Sequence, residues 1–432
     1  MIKQLLKKIV VFILTVEAYV VLKKYTPTIV AIIGSVGKTA TKDAVAAVLE
    51  KQFYVRKSEK SSNSDIGVPL TILGCENAWR DVSRWARVFL EGLALIFLRN
   101  HYPKVLVLEV GADRPGDIER LARWIKPDVV LVTRFGKTPA HVEFFKSREA
   151  LVEEKKYMVR ALKKDGKLII NADDDDARAM GQTGDVVTTT FAVSNDAILK
   201  ASNIEILYDV SGKPKGIQCK VLYRGAIFPL KILGTVGEQY ISVALGAFAV
   251  GVLFGINIVH ILERLSEFKI PPGRFFLLEG KNGSVLIDDT YNASPIAVEA
   301  ALRTLGNLLG KEGRKIAVLG DMLELGKWSV EEHKRIGSLA AHAVDTLISV
   351  GPRAKMIDEG AYDEGMKIDH IRHFADAVQA GKFLREIVTE KDTVLIKGSQ
   401  GMRMEKAVLE VMSEPLRAGE VLCRQESEWL KR

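Results

Sequence analysis

The stretch Thr28 to Thr41, TIVAIIGSVGKTAT, constrains this chain more than any other. Its apolar, β-branched run from Ile29 to Ile33 predicts a buried strand. The run breaks at Gly34, Gly37-Lys38-Thr39 follows, and the helical pattern KDAVAAVLE comes next. Strand, glycine loop, Lys-Thr and helix in that order is the layout of a phosphate-binding loop. Glycines let backbone N–H groups turn inward around phosphate oxygens, and the helix N-terminus adds the positive end of its dipole. In such a loop Lys38 reaches the β- and γ-phosphates and the Thr39 hydroxyl holds Mg²⁺. The longer motif asks for a glycine where Ile32 stands, so this is the shorter GxxGKT form. An ordinary βα turn with a stray lysine is the alternative. The strand before the loop and the helix after it argue against that.

A chain of 432 residues exceeds one core, which predicts two or three domains. The net charge of +8 suits anionic partners such as nucleotides or an anionic membrane face. No basic, aromatic-interleaved stretch argues for nucleic acid. Cys75, Cys219 and Cys423 are far apart and odd in number, which reads as a reducing compartment without a structural metal.

Residues 1–24 have lysines at both ends and an apolar middle, Ile9 to Leu22, interrupted by Glu17. That middle is too short for a clean transmembrane helix, which needs about 20 residues. The expectation is a helix at or in the membrane, with Lys7, Lys8, Lys23 and Lys24 near headgroups. The alternative is a helix packed on the body. The stretch Trp79 to Leu98 is a second amphipathic helix that suits either a membrane interface or a core. The strand KVLVLEVGAD brings Glu109 to its end, beside the loop, as a natural Mg²⁺ carboxylate. DVVLVT is the next strand; His141 and Glu143 follow it, and a helix begins near Ser147. Strands near Lys167–Asn171 and Val186–Phe191, a β-rich patch from Asn203 to Leu233 and a helix over Tyr240–Phe254 complete this part. Pro271-Pro272-Gly273 marks a boundary. Beyond it, strands SVLIDDT, KIAVLGD, TLISV and TVLIKGS alternate with helices, which predicts a doubly wound α/β domain. The boundaries expected are 1–24, 25–270 and 271–432.

Taken together, GSVGKTATK, NSDIGVPLTIL, EVGADRPGDI, HVEFFKSREALVEEK, NADD, PPGRF, DDTYNASP, VLGDMLELG with His333, and IKGSQGMRME resemble the Mur ligases, in that order from about Thr28 to about Met412. DDTYNASP, GDMLELG and KGSxxMRME resemble the branch that adds D-alanyl-D-alanine. The resemblance implies a central ATP-binding ligase domain with a parallel sheet, followed by the C-terminal α/β domain. It implies ATP-dependent amide formation, through an acyl phosphate, between a muramoyl-peptide-type carboxylate and D-alanyl-D-alanine. The need for ATP puts the expected chemistry in the cytoplasm, with Ile9–Leu22 and Trp79–Leu98 as candidate contacts to the inner face of the membrane.

By the same resemblance Gly34, Ser35, Val36, Gly37, Lys38, Thr39 and Ala40 wrap the ATP phosphates. Thr39, Glu109 and His141 serve Mg²⁺, and Lys155 stands where the family carries a carbamylated lysine. Arg274, Asp289 and Asn292 come from the C-terminal domain to the nucleotide, with Lys397, Ser399 and Arg403 facing the cleft. Three departures stand out. The apolar helix occupies the place where the family carries a uridine-nucleotide domain. The segment between Leu73 and Val105 is long. The turns Thr133-Arg134-Phe135-Gly136 and Gly237-Glu238-Gln239-Tyr240, and Gln400, differ from the family pattern. The alternatives are a related ligase with another, lipid-linked acyl substrate, and a nucleotide-binding partner protein without turnover.

Overall fold

The computed structural model describes residues 2–59, 63–78, 81–112, 114–135, 145–182, 186–309, 313–426 and 429, with backbone alone for 2–6. Its first sheet runs through β1 (Thr28–Ile33), β2 (Val55–Lys57), β3 (Val105–Glu109), β4 (Val129–Val132), β5 (Lys167–Asn171), β6 (Val187–Ala192), β7 (Leu199–Tyr208), β8 (Pro214–Tyr223) and β9 (Ala226–Leu233). The spatial order is β2-β3-β1-β4-β5-β6-β7-β8-β9. β1 pairs in parallel with β3 on one side and β4 on the other. Strand order therefore reverses at β1, and the crevice at its carboxyl end is where such sheets bind ligands. The β-rich patch is the antiparallel meander β7-β8-β9.

Six of the helices matter for the first sheet's ligand edge: α1 (Ile2–Tyr25), α2 (Lys38–Leu49), α3 (Gly67–Leu73), α4 (Val82–Phe97), α5 (Asp117–Ala122) and α6 (Arg148–Arg160). Both faces of the sheet are covered, as its near-continuous apolar strands require. Ala44, Val45, Val48 and Leu49 of α2 are buried on one face. They pack there with the helix that follows β9, Gln239–Leu253, whose small residues allow close approach. α1, α3 and α4 join Ile29, Ala31, Ile33, Leu106 and Leu108 on the other face.

α1 is part of the folded body on one side. Leu14, Ala18 and Val21 are fully buried, and no described helix is long and apolar enough to cross a membrane. Glu17, which interrupts the apolar run, turns inward against α4. A Cβ on Gly92 would lie 2.2 Å from its Oε2, so glycine is what lets the two helices meet there. The expectation for Lys24 changes too: its Nζ donates to the carbonyls of Leu95 (2.8 Å) and Ile96 (3.0 Å) at the end of α4. There the ammonium satisfies carbonyls that the helix leaves unpaired. Lys7 lies 3.9 Å from Asp65.

The second sheet contains β10 (Phe276–Glu279), β11 (Val285–Asp289), β12 (Lys315–Gly320), β13 (Thr346–Val350), β14 (Ile371–Phe374) and β15 (Thr393–Lys397), in the order β10-β11-β15-β12-β13-β14. All pairs are parallel except β10–β11. The expected alternation is present. The helix Lys355–Asp363 and strand β14 add a unit between TLISV and the helix Ala377–Ile387. β14 reads IRHF, and only its Ile371 is buried, so it carries no apolar run.

Candidate active site

The loop after β1 needs its glycines. Gly34 has φ 134°, and a Cβ there would meet Thr133 Oγ1 at 2.1 Å. Gly37, at φ 83°, is the N-cap of α2 and has no side chain to satisfy the first turn. Helix geometry gives the first-turn N–H groups no intrahelical acceptor, so they are aimed at whatever occupies the crevice. Ser35 and Val36 belong to the loop expected to wrap the phosphates, and both line the cleft. Their N–H groups donate to the Arg134 carbonyl at 2.8 and 2.9 Å, which ties the loop to the end of β4.

Thr39 and Glu109 meet as expected: Thr39 Oγ1 donates to Glu109 Oε2 at 2.9 Å. The other carboxylate oxygen accepts from Asn63 Nδ2 at 3.2 Å, and the Ser58 hydroxyl accepts from the Glu109 N–H at 3.1 Å. Glu109 is 2% exposed. Arg274, from beyond the Pro-Pro-Gly boundary, brings Nη2 to 3.4 Å from Thr39 Oγ1. Its guanidinium lies 3.8 Å from the centre of the Tyr291 ring, and its buried Nε has no hydrogen-bond partner among the described residues.

Lys155 is buried, not solvated. Ser147 caps α6, its hydroxyl accepting from the Ala150 N–H. Glu154 accepts from the N–H groups of Gly116, Ile118 and Glu119 at 2.7 to 3.1 Å, which fixes α6 against α5. That anchoring carries Lys155 Nζ to the Gly34 carbonyl (2.6 Å) and Ser35 Oγ (3.0 Å). Burial, and next the charge of Lys38, hold its pKa well below the usual lysine value, with Asp174 opposing. A lysine in this state has access to its neutral, nucleophilic form.

On the second sheet, Asp289 at the end of β11 accepts from Lys397 Nζ at 2.6 Å. The same Nζ reaches the Asn292 carbonyl at 3.0 Å. Burial pushes Asp289 up against the pull of Lys397 and Arg274. Its neighbour Asp288 is pushed up to about 7 by burial; it accepts from Thr290 and from the Gly273 N–H. Asn292 Oδ1 accepts from the N–H groups of Ala293 and Gln400. A cleft of about 810 Å³ joins the two sheets' ends, and Lys38, Thr39, Glu109, Lys155, Arg274, Asp289 and Asn292 all line it. Lys397, Ser399 and Arg403 face it as well.

His141, Glu143 and Gly136 lie outside the described residues. Motif reasoning gave no role to Asn63, Arg134, Tyr291 or Trp429. Asn63 was legible as part of NSDIG, and Trp429 lines the cleft with its carbonyl accepting from Arg403. The Thr39 hydroxyl and Glu109 carboxylate are hard oxygen donors side by side, which fits Mg²⁺ held chiefly by phosphates and water. Among the described residues no group of three or more His, Cys, Asp and Glu forms an all-protein cage.

A glycine loop at the switch point of a parallel sheet, with a Thr-carboxylate pair and an arginine from a second α/β unit, defines a P-loop nucleotide-binding protein closed by a C-terminal domain. Residues 91–251 match the Mur ligase middle domain, and residues 273–400 the Mur ligase glutamate ligase domain. The chain is 30% identical over 390 residues to the UDP-N-acetylmuramoyl-tripeptide–D-alanyl-D-alanine ligase of Bacillus subtilis (strain 168), covering 90% of this chain and 76% of that protein. It is 31% identical to the enzyme of the same name from Mycobacterium leprae (strain TN), covering 87% of this chain and 71% of that one. The crystal structure of MurF ligase from Thermotoga maritima in complex with ADP superposes with a TM-score of 0.75 at 26% identity, covering 92% of this chain and 82% of that one. The chain belongs to the Mur ligase family.

Proposed function

We propose that this chain is an ATP-dependent amide ligase that couples D-alanyl-D-alanine to the carboxylate of a muramoyl peptide. The contact that supports the reading is Arg274 to Thr39, with Glu109 on the same hydroxyl: a cation, a hydroxyl and a carboxylate meet in one cleft, as phosphate and Mg²⁺ would need. A carboxylate is a poor acyl donor. Transfer of the γ-phosphoryl group makes it an acyl phosphate, and an incoming amine then displaces phosphate. In this scheme Lys38 and the first turn of α2 hold the transferring phosphates, and Arg274, stacked on Tyr291, supports charge on them. Asp289, Lys397 and Asn292 fix the nucleotide-facing loop of the C-terminal domain. Thr39 and Glu109 would hold Mg²⁺, which when bound neutralises phosphate charge. Lys155, depressed in pKa, is suited to carbamylation, which would replace an ammonium by oxygen donors.

The domain division we propose is 1–24, 25–270 and 271–432. Consumption of ATP places the reaction in the cytoplasm. The acyl substrate we propose is a muramoyl peptide carried on a uridine nucleotide or on a lipid.

The test is release of ADP by the purified protein with Mg²⁺, given D-alanyl-D-alanine, muramoyl peptides of both kinds, or both together. A ligase releases ADP rapidly only when both substrates are present. Equal, slow release in every mixture would overturn the proposal in favour of a nucleotide-binding protein without turnover.

A further inference from the structure

α1 is apolar on both sides, yet only one side is covered. Ile9, Phe12, Val16, Tyr19 and Val20 are all exposed, Phe12 by 69%. On α4 the spacing repeats: Val82, Leu90, Leu93 and Phe97 form an exposed stripe, with Val82 at 81% and Phe97 at 78%. A surface helix of a soluble protein ordinarily turns a polar face outward.

The two stripes form one face. Glu17 meets Gly92, and Lys24 meets the carbonyls that end α4, so the helices lie side by side and run in the same direction. At 100° per residue, the centre of each stripe sits roughly a third of a turn from this seam. In both helices the displacement is away from the buried side, marked by Leu14, Ala18 and Val21 in α1 and by Val88 in α4. Both stripes therefore point outward on the same side, as a two-helix platform.

We infer that this platform docks in the plane of a bilayer containing anionic lipid. Its rim is cationic: exposed Lys8 and Lys23 bracket the α1 stripe, and exposed Arg99 follows α4. Arg84 and Arg87 on the flank of α4 are paired with Asp81 and Glu91, so the acidic groups there are already neutralised. An apolar centre with a Lys/Arg rim is the pattern of helices that lie in the headgroup region. A second copy of the chain is disfavoured, because a self-complementary contact would set Lys8 and Lys23 rims against each other. The stripes offer a partner protein little hydrogen bonding, only the Tyr19 hydroxyl. Since no described helix is long and apolar enough to cross a bilayer, the contact lies along the surface. The face is separate from the cleft, so docking and nucleotide chemistry are separately testable.

The experiment is flotation of the full chain with vesicles of phosphatidylglycerol and phosphatidylethanolamine, and with vesicles of phosphatidylcholine alone. The protein is expected to float with the first and at least about tenfold less with the second. The triple variant Phe12→Ser, Leu90→Ser, Phe97→Ser is expected to lose flotation by about tenfold or more while keeping its thermal transition, since all three side chains are exposed. If that variant misfolds, Lys8→Glu with Lys23→Glu serves in its place and is expected to abolish the preference for phosphatidylglycerol. Absence of flotation by the wild-type chain, equal flotation with both vesicles, or unchanged flotation of the folded variants would overturn the inference. So would a wild-type dimer that leaves vesicles unbound and is broken by the triple variant.

Discussion

Glu17 is 5% exposed, its Oε2 has no hydrogen-bond partner among the described residues, and burial raises its pKa from 4.5 to about 7. A carboxyl group raised in the folded state binds a proton that the unfolded chain has already lost. Its contribution to stability is complete below pH 4.5 and is lost as pH rises through about 7. The shift is worth about 3 kcal/mol at 1.36 kcal/mol per pKa unit. Replacing Glu17 by Gln keeps the shape and removes the charge. Glu17→Gln should therefore stabilise the protein at about pH 8 and do little at about pH 4, the difference between the two being about 3 kcal/mol. Urea unfolding at the two pH values, read by circular dichroism, and hydrogen exchange of α1 would measure it. A gain that is the same at both pH values, or no gain at pH 8, would refute the argument that Glu17 is held uncharged against Gly92.

Lys155→Ala should abolish ATP-dependent ligation with the fold intact, and a short carboxylate in the buffer should restore part of the rate; full activity without bicarbonate or carboxylate would count against a carbamate. Glu109→Gln should raise the Mg²⁺ concentration for half-maximal rate by about tenfold or more, because the carboxylate loses its charge but keeps its contact with Thr39; a titration of rate against Mg²⁺ reads it. Gly34→Ala should cost about 1–3 kcal/mol and weaken ATP binding, since φ 134° and the 2.1 Å approach to Thr133 Oγ1 leave no place for a methyl group; calorimetry with ATP checks both.

The phosphate loop was legible because everything it needs is local: strand, glycines, Lys-Thr and helix follow one another within one stretch. Lys155 and Glu109 were legible by motif. Their physical settings were not, since the Gly34 carbonyl is 121 positions from Lys155 and Asn63 is 46 from Glu109. The Arg134 carbonyl that takes the Ser35 and Val36 N–H groups has no sequence signature at all, because a backbone acceptor is the same in every residue. α1 resisted for another reason. A helix apolar all round has no periodicity to say which side is covered, and Glu17 acquires its meaning only opposite Gly92. Strand β14 was missed because IRHF has one buried side chain, too few for a pattern.

The most direct measurement follows oxygen. A muramoyl peptide carrying ¹⁸O in both carboxylate oxygens is incubated with the purified protein, ATP, Mg²⁺ and D-alanyl-D-alanine, and the phosphate and peptide are weighed by mass spectrometry. Passage through an acyl phosphate predicts one ¹⁸O in the released phosphate for each amide formed, with the other retained in the product. Amide formed with unlabelled phosphate, or phosphate released without any amide, would contradict it.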